Sequence, residues 1–149
     1  MLLRGITVLL VEDDADNLEL MTAYFDGEGA HTLSASSMAA ALAMANVARV
    51  DVLVSDLELL DGDGCELVKR LREREGMQGL PAIAITGYSE RKWLENAVKC
   101  GFTRYAVKPF SLPQLVGWIA ELSGRAASGQ RDATSLAPEL PVARGRRAQ

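Results

Sequence analysis

The sequence predicts an α/β protein with a doubly wound, five-stranded parallel sheet in the strand order 2-1-3-4-5. Short apolar runs of strand length alternate with amphipathic stretches of helix length five times along the chain. At least three of these runs are apolar on both faces, as a parallel sheet covered by helices on both sides requires. With right-handed crossovers, this β-α repeat gives the flavodoxin-like arrangement.

Five runs are the predicted strands. Four of them are rich in β-branched and aliphatic residues: Ile6–Val11, Val50–Ser55, Ala82–Thr86 and Phe102–Val107. The fifth run, His31–Ser36, is more polar and therefore suits an edge strand.

The stretches between the runs have helical periodicity. Leu18, Met21 and Phe25 recur on one face behind Asp14 or Asp16, either of which can cap the first turn. The other predicted helices are the Ala-rich Met38–Ala48, a segment around Leu67–Leu71, a segment from a Ser89 cap through Leu94, Ala97 and Val98 to a Gly101 stop, and a segment from Ser111 to Gly124.

A chain of 149 residues has room for one domain with a well-formed core, but hardly for two. The predicted elements place that domain at residues 5–123. Residues 125–149 have little apolar content and no periodicity, which predicts a disordered, basic C-terminal tail or linker. The first 124 residues carry 11 Lys and Arg against 18 Asp and Glu. This acidic body argues against direct nucleic-acid binding by the fold.

Composition also bears on the compartment. No apolar run approaches the ~20 residues that span a bilayer, and the N-terminus lacks the small-residue ending of a signal peptide. The expectation is a cytoplasmic protein that does not contact the membrane. Cys65 and Cys100 suit a reducing compartment and have no metal-binding spacing, so we expect two ordinary buried or half-buried thiols.

Polar residues follow four of the predicted strands. In chain order they are Glu12, Asp13 and Asp14, then Asp56, then Thr86 and Gly87, then Lys108 and Pro109. Because the carboxyl ends of parallel strands share one edge of the sheet, these residues should converge. Buried acids cost solvation free energy unless a cation neutralises them. Mg²⁺ fits best, since a few carboxylates satisfy it and leave positions for water or phosphoryl oxygens.

The chemistry of this set is that of a phosphoryl acceptor. A carboxylate can attack phosphorus and form an acyl phosphate, and the transfer needs positive charge near the equatorial oxygens. Asp56 is the predicted nucleophile, and Asp13, with Glu12 beside it, would hold the metal. Lys108 would meet one phosphoryl oxygen, and Thr86 would donate a hydrogen bond to another.

Over residues 5–123 the sequence resembles a response-regulator receiver domain of two-component signal transduction. Four segments carry the resemblance: VLLVEDD, VLVSDLELLDGDGCEL, AIAITG and YAVKPF. It implies that Asp56 takes phosphate from a sensor histidine kinase or a histidine phosphotransfer protein. The chain would then be a phosphoacceptor that assists its own phosphotransfer and dephosphorylation, rather than an enzyme.

The resemblance also implies a ligand set for Mg²⁺. Asp13 and Asp56 would bind the ion directly, Glu12 would act mainly through water, and the backbone carbonyl of Glu58 would complete the shell.

A switch is implied in the same way. Thr86 and Tyr105 would be the switch pair, and the Lys108–Pro109 bond would be cis. Phosphorylation would change the face formed by the fourth helix and the fifth strand, which a downstream protein or a second copy of the chain would read.

Three positions depart from the family pattern. Leu60 stands where Pro is usual, which predicts a less rigid loop before the third helix. Glu58 and Tyr88 flank the path of an attacking water. The hypothesis is that they set the lifetime of the acyl phosphate, which the dephosphorylation rates of Glu58→Asn and Tyr88→Ala would measure.

The loop Asp61–Gly64 resembles the start of an EF-hand calcium-binding loop in its alternating Asp and Gly residues. Arg72 stands where its twelfth position needs a bidentate Glu, so the expectation is a turn with Gly64 near the start of a helix.

Two other function classes stay open. A phosphatase of the haloacid-dehalogenase type uses the same residue types, but its nucleophile comes before its metal-binding acids, whereas Glu12 and Asp13 come first here. A phosphate-independent binding module is disfavoured by the complete acidic site. Within the receiver class, the segment Leu3–Thr7 resembles receivers that follow a kinase core, which slightly favours a hybrid histidine kinase over a stand-alone protein.

Overall fold

The centre of the computed structural model, which describes residues 1–87, 95 and 98–124, is a parallel sheet of five strands. The strands are β1 (Thr7–Val11), β2 (His31–Ala35), β3 (Val52–Asp56), β6 (Ala82–Thr86) and β7 (Arg104–Val107), in the order β2-β1-β3-β6-β7. Two further strands of two residues each, β4 (Glu58–Leu59) and β5 (Gly62–Asp63), pair antiparallel outside this sheet. The predicted doubly wound α/β fold and its strand order are confirmed, since β6 and β7 are the fourth and fifth predicted strands.

Four helices are complete among the described residues: α1 (Ala15–Gly27), α2 (Met38–Val47), α3 (Gly64–Arg72) and α4 (Leu112–Leu122). Each begins after a side chain that caps it, because the first backbone N–H groups of a helix have no partner inside it. These capping residues are Asp14, Ser37, Asp63 and Ser111. Asp14, rather than Asp16, is therefore the cap of α1.

The predicted helix after the fourth sheet strand is described only in part. Glu95, Val98 and Lys99 are helical. Ser89, Leu94 and Ala97 lie outside the described residues, as does the predicted tail at 125–149.

Both faces of the sheet are covered by helices. On one face, α2 and α3 pack on Leu9, Leu53 and Ala84 through side chains such as Leu67 and Leu71. The other face packs against α1 and α4. It buries Val8, Val54 and Ile83 among Met21, Phe25 and Ile119. Every residue of β3 and β6 is buried, and these two strands carry the apolar patterns that predict a parallel sheet.

No helix within the described ranges has the length and hydropathy that crossing a membrane requires.

The cysteines form a disulfide, so the expectation of two ordinary thiols is wrong. Cys65 and Cys100 are bonded through their sulfur atoms, and their Cα atoms lie 5.2 Å apart. Cys65 is in the first turn of α3, and Cys100 directly follows Val98 and Lys99. The pair is 35 residues apart in sequence, and only the packing of the chain brings the two side chains together.

Candidate functional site

Asp56 is the last residue of β3 and is only 8% exposed. In the β3–β6 ladder it lies opposite Ile85, and the next backbone N–H, of Leu57, donates to the Ile85 carbonyl at 3.0 Å. Its Oδ1 accepts a hydrogen bond from the Glu58 backbone N–H at 3.3 Å. The end of a central strand thus holds this carboxylate at the carboxyl edge of the sheet.

Three carboxylates meet at this edge. Glu12 and Asp13 follow β1, and each can place an oxygen within 4.8 Å of the others and of an Asp56 oxygen. Glu12 is 1% exposed. Burial raises the pKa of Glu12 above its ordinary value and the charge of Asp56 adds to the effect, although a hydrogen bond from the Asp14 N–H opposes it. A set of hard, mutually repelling oxygen donors fits Mg²⁺.

Lys108 supplies the positive charge of the site. Its Nζ lies 3.2 Å from Asp56 Oδ2 and 3.5 Å from Glu12 Oε1. Burial by itself would lower the pKa of Lys108, but the carboxylates of Asp56 and Glu12 outweigh it and raise the pKa above its ordinary value. The ammonium is therefore charged at neutral pH. The peptide bond from Lys108 to Pro109 is cis.

Thr86 and Tyr105 are neighbours on one face of the sheet. Thr86 ends β6, is buried, and lies opposite Val107 of β7; Tyr105 is two residues before Val107. Because side chains alternate along a strand, the two residues of the predicted switch share a face. The carbonyl of Thr86 accepts a hydrogen bond from the Lys108 N–H at 2.7 Å, which joins the end of β6 to the residue that carries the positive charge of the site.

Of the residues that depart from the family pattern, Glu58 and Leu60 are described and Tyr88 lies outside the described residues. Glu58 begins β4 and is exposed beside Asp56. Leu60 is 88% exposed.

The carboxylate of Asp61 fastens its loop to α2, a contact that the sequence does not predict. Its carboxylate accepts hydrogen bonds from the backbone N–H groups of Met38 and Ala39, at 2.8 and 3.0 Å. These two hydrogen bonds hold the pKa of Asp61 below its ordinary value. The loop that lacks the usual proline is thus fastened to the first turn of α2 by a side chain. No local pattern indicates such a contact, because its partners lie more than twenty residues away.

Gly64 permits a close approach of α3 to the end of β3. Its N–H donates to the Leu57 carbonyl at 2.9 Å, and a Cβ at this position would lie 2.6 Å from the backbone oxygen of Asp56. The sequence predicts a turn with Gly64 near a helix start, but it does not indicate that this position must lack a side chain. Only a residue without a side chain lets the helix begin here.

The substitution Gly64→Ala is expected to destabilise the fold by about 1–3 kcal/mol, the usual cost of overpacking a rigid interior. The clashing atom is a strand backbone atom, so relief requires a shift of β3 or α3. The free energy of unfolding in urea measures the effect.

Gly117→Ala is the matched control. Gly117 lies inside α4, and a Cβ there would have no neighbour within 4 Å, so we expect about 0.5–1 kcal/mol of stabilisation. An equal gain for Gly64→Ala would contradict the close approach.

Comparison with known proteins identifies the class to which this fold and site belong. Residues 8–120 match the model of the response regulator receiver domain, and the chain is a member of that family. The resemblance to a response-regulator receiver domain is thereby confirmed. Receivers of two-component response regulators are phosphoacceptor signalling modules that work with histidine kinases or phosphotransfer proteins and with downstream effectors.

Particular relatives support the assignment. An uncharacterised 14.6 kDa protein of Leptolyngbya boryana is 33% identical over 119 residues, which are 80% of this chain and 91% of that protein. The polar-differentiation response regulator DivK of Brucella ovis is 28% identical over 120 residues, 80% of this chain and 98% of that one. The receiver domain of Francisella response regulator 1452 superposes with a TM-score of 0.74 at 27% identity, covering 82% of this chain and 99% of that chain.

Proposed function

We propose that this chain accepts a phosphoryl group onto Asp56 from the phosphohistidine of a sensor histidine kinase or a histidine phosphotransfer protein, in a Mg²⁺-dependent reaction. The observation that carries the proposal is the meeting of three carboxylates and one ammonium at the Asp56 side chain. A structural salt bridge alone would not need two further acids around the pair.

Asp13 and Asp56 would hold Mg²⁺ directly, Glu12 would act through water, and the carbonyl of Glu58 would complete the shell. The ion supplies positive charge that offsets the negative charge of the phosphoryl oxygens. The family membership and the close carboxylates support this assignment.

In the transfer, a carboxylate oxygen of Asp56 attacks phosphorus. The phosphorus–nitrogen bond to the donor imidazole breaks, and its electron pair stays on the ring nitrogen. Lys108, which lies within 3.2 Å of Asp56, would then pair with a phosphoryl oxygen, and Thr86 would donate a hydrogen bond to another.

The phosphate would act as a switch. Thr86 would move toward it, and Tyr105 would turn into the vacated space. The face formed by the fourth predicted helix and β7 would change, so phosphorylation biases an equilibrium between two states. A downstream protein, or a second copy of the chain, would read that face.

The setting we propose is the cytoplasm, with residues 5–123 as the receiver and 125–149 as a tail or linker. The receiver would serve either as a stand-alone protein or within a hybrid histidine kinase. Neither nucleic acid nor a membrane is a proposed direct partner.

Incubation of the full chain with acetyl phosphate and Mg²⁺, read by intact mass, tests the proposal. One stable adduct of about 80 Da, absent when EDTA replaces Mg²⁺, is the expected result. Steady turnover of added phosphoesters would instead indicate a phosphatase. An unchanged mass would indicate a phosphate-independent module, and either of these results would overturn the proposal.

A further inference from the structure

The disulfide between Cys65 and Cys100 lies at a surface cavity of about 750 Å³. Both cysteines are half-buried and line this cavity, so a small thiol can approach their sulfur atoms. Both also pack against the core from its edge, and disulfides that are exposed in this way are the ones that exchange most readily.

Cations outnumber acids among the residues that line the cavity beside Cys65. Cys65 is in the first turn of α3, where the helix N-terminus is positive, and the cations of Lys69, Arg72 and Lys99 line the same cavity against two acids. The thiolate is the form that attacks disulfides, so Cys65 is the expected attacking sulfur.

Cys65, one end of the bond, is adjacent in sequence to a residue that packs beside Asp56. Cys65 follows Gly64, whose N–H donates to the Leu57 carbonyl at 2.9 Å and where an added Cβ would lie 2.6 Å from the Asp56 backbone oxygen. A shift of the start of α3 therefore acts on the backbone of Asp56.

Cys100, the other end, precedes a segment that also contacts α3 and that leads into β7. After Cys100, the Gly101 carbonyl accepts a hydrogen bond from Arg72 at 2.6 Å, and the Phe102 ring lies 3.4 Å from the position that a Cβ on Gly64 would take. The chain then enters β7, which ends beside Lys108. The disulfide thus joins the start of α3 to the segment that leads into β7. Lys108, the cation beside Asp56, directly follows that strand.

We propose that Cys65 and Cys100 form a reversible thiol–disulfide site that controls the rate of phosphoryl uptake at Asp56. This inference rests on the proposed function, because that function places the chain in the cytoplasm. Disulfides in that compartment are mostly transient and redox-active.

Oxidation is by exchange with a small disulfide such as glutathione disulfide. The Cys65 thiolate attacks one sulfur and releases one glutathione thiolate. The Cys100 thiolate then attacks the mixed disulfide at the Cys65 sulfur and releases the second. Two electrons pass from the cysteine pair to glutathione, and the two thiol protons go to solvent or to the released thiolates. The bond restrains the start of α3 against residues 98–101. Because movement of that helix start acts on the Asp56 backbone, the oxidised chain takes up phosphate more slowly.

The full chain is equilibrated in buffers of different reduced-to-oxidised glutathione ratio, and free thiols are counted by alkylation and mass. The expected result is a reversible change of two thiols, with the far-ultraviolet circular dichroism of the fold unchanged. A disulfide that persists in excess reduced glutathione, or that never forms in excess glutathione disulfide, overturns the inference whatever the phosphorylation result.

The same samples are desalted and given acetyl phosphate and Mg²⁺. We expect several-fold faster uptake in the reduced wild type, and Cys65→Ser and Cys100→Ser at the reduced rate in both buffers. Equal wild-type rates overturn the control of uptake without requiring any variant to fold. No uptake in either redox state would overturn the proposed function and this control together, while the thiol titration would still decide whether the pair is reversible.

Discussion

Asp56→Asn is expected to abolish the mass gain from acetyl phosphate. An amide lacks the carboxylate electron pair that attacks phosphorus, and none of the other carboxylates of the site ends a strand of the sheet. The replacement is nearly isosteric and retains an oxygen that can accept the hydrogen bond from the Glu58 N–H. The variant should therefore fold, which circular dichroism and urea unfolding would verify.

Asp26→Asn is the matched control. Asp26 is exposed at the last turn of α1, at the opposite edge of the sheet from Asp56, so the wild-type mass gain should persist. A full adduct on Asp56→Asn would move the acceptor to another residue, and peptide mapping would locate it.

Lys108→Met is expected to slow phosphoryl uptake by about 10²–10³-fold, the usual cost of removing one preorganised group that stabilises developing negative charge. Methionine keeps most of the apolar stem of lysine and removes only its charge. The initial rate of adduct formation at saturating Mg²⁺ measures the effect. The apparent affinity for Mg²⁺ should rise at the same time, since the ammonium, 3.2 Å from Asp56 and 3.5 Å from Glu12, repels the metal in the wild type.

The same substitution at Lys69 provides the comparison. Lys69 is exposed on α3 and makes no ion pair within the described residues, so Lys69→Met assayed in reducing buffer should keep the wild-type rate. If Lys108→Met were as fast as Lys69→Met, Lys108 would have no part in the transfer.

The parallel sheet and the convergence of the site could be predicted because both follow from local patterns. Alternating apolar runs define parallel strands, and parallel strands bring their carboxyl ends to one edge. Asp13, Asp56 and Lys108 could therefore be grouped from three distant segments of the chain. The roles given to these residues stay predictions until the assays are made.

What could not be predicted depends on the packing of elements against one another. The Asp61 tether to α2, the bond between Cys65 and Cys100, and the contact of Gly64 with the Asp56 backbone each join positions that have no pattern in common. A capping residue signals its own helix, but Asp61 caps a helix that begins earlier in the chain. Cysteine spacing is informative only within known motifs, and a separation of 35 residues matches none of these.

The disulfide also has a thermodynamic consequence. The covalent ring that it closes joins positions 35 apart in sequence and includes all of β6, the strand that pairs with β3 and its last residue, Asp56. In the chain-entropy account, a ring of this size restricts the unfolded chain enough to stabilise the fold by about 4 kcal/mol. The redox state of two cysteines would then set how much destabilisation this receiver tolerates, since stabilities of small domains are only about 5–15 kcal/mol. A substitution that is harmless in the oxidised chain could unfold the reduced one.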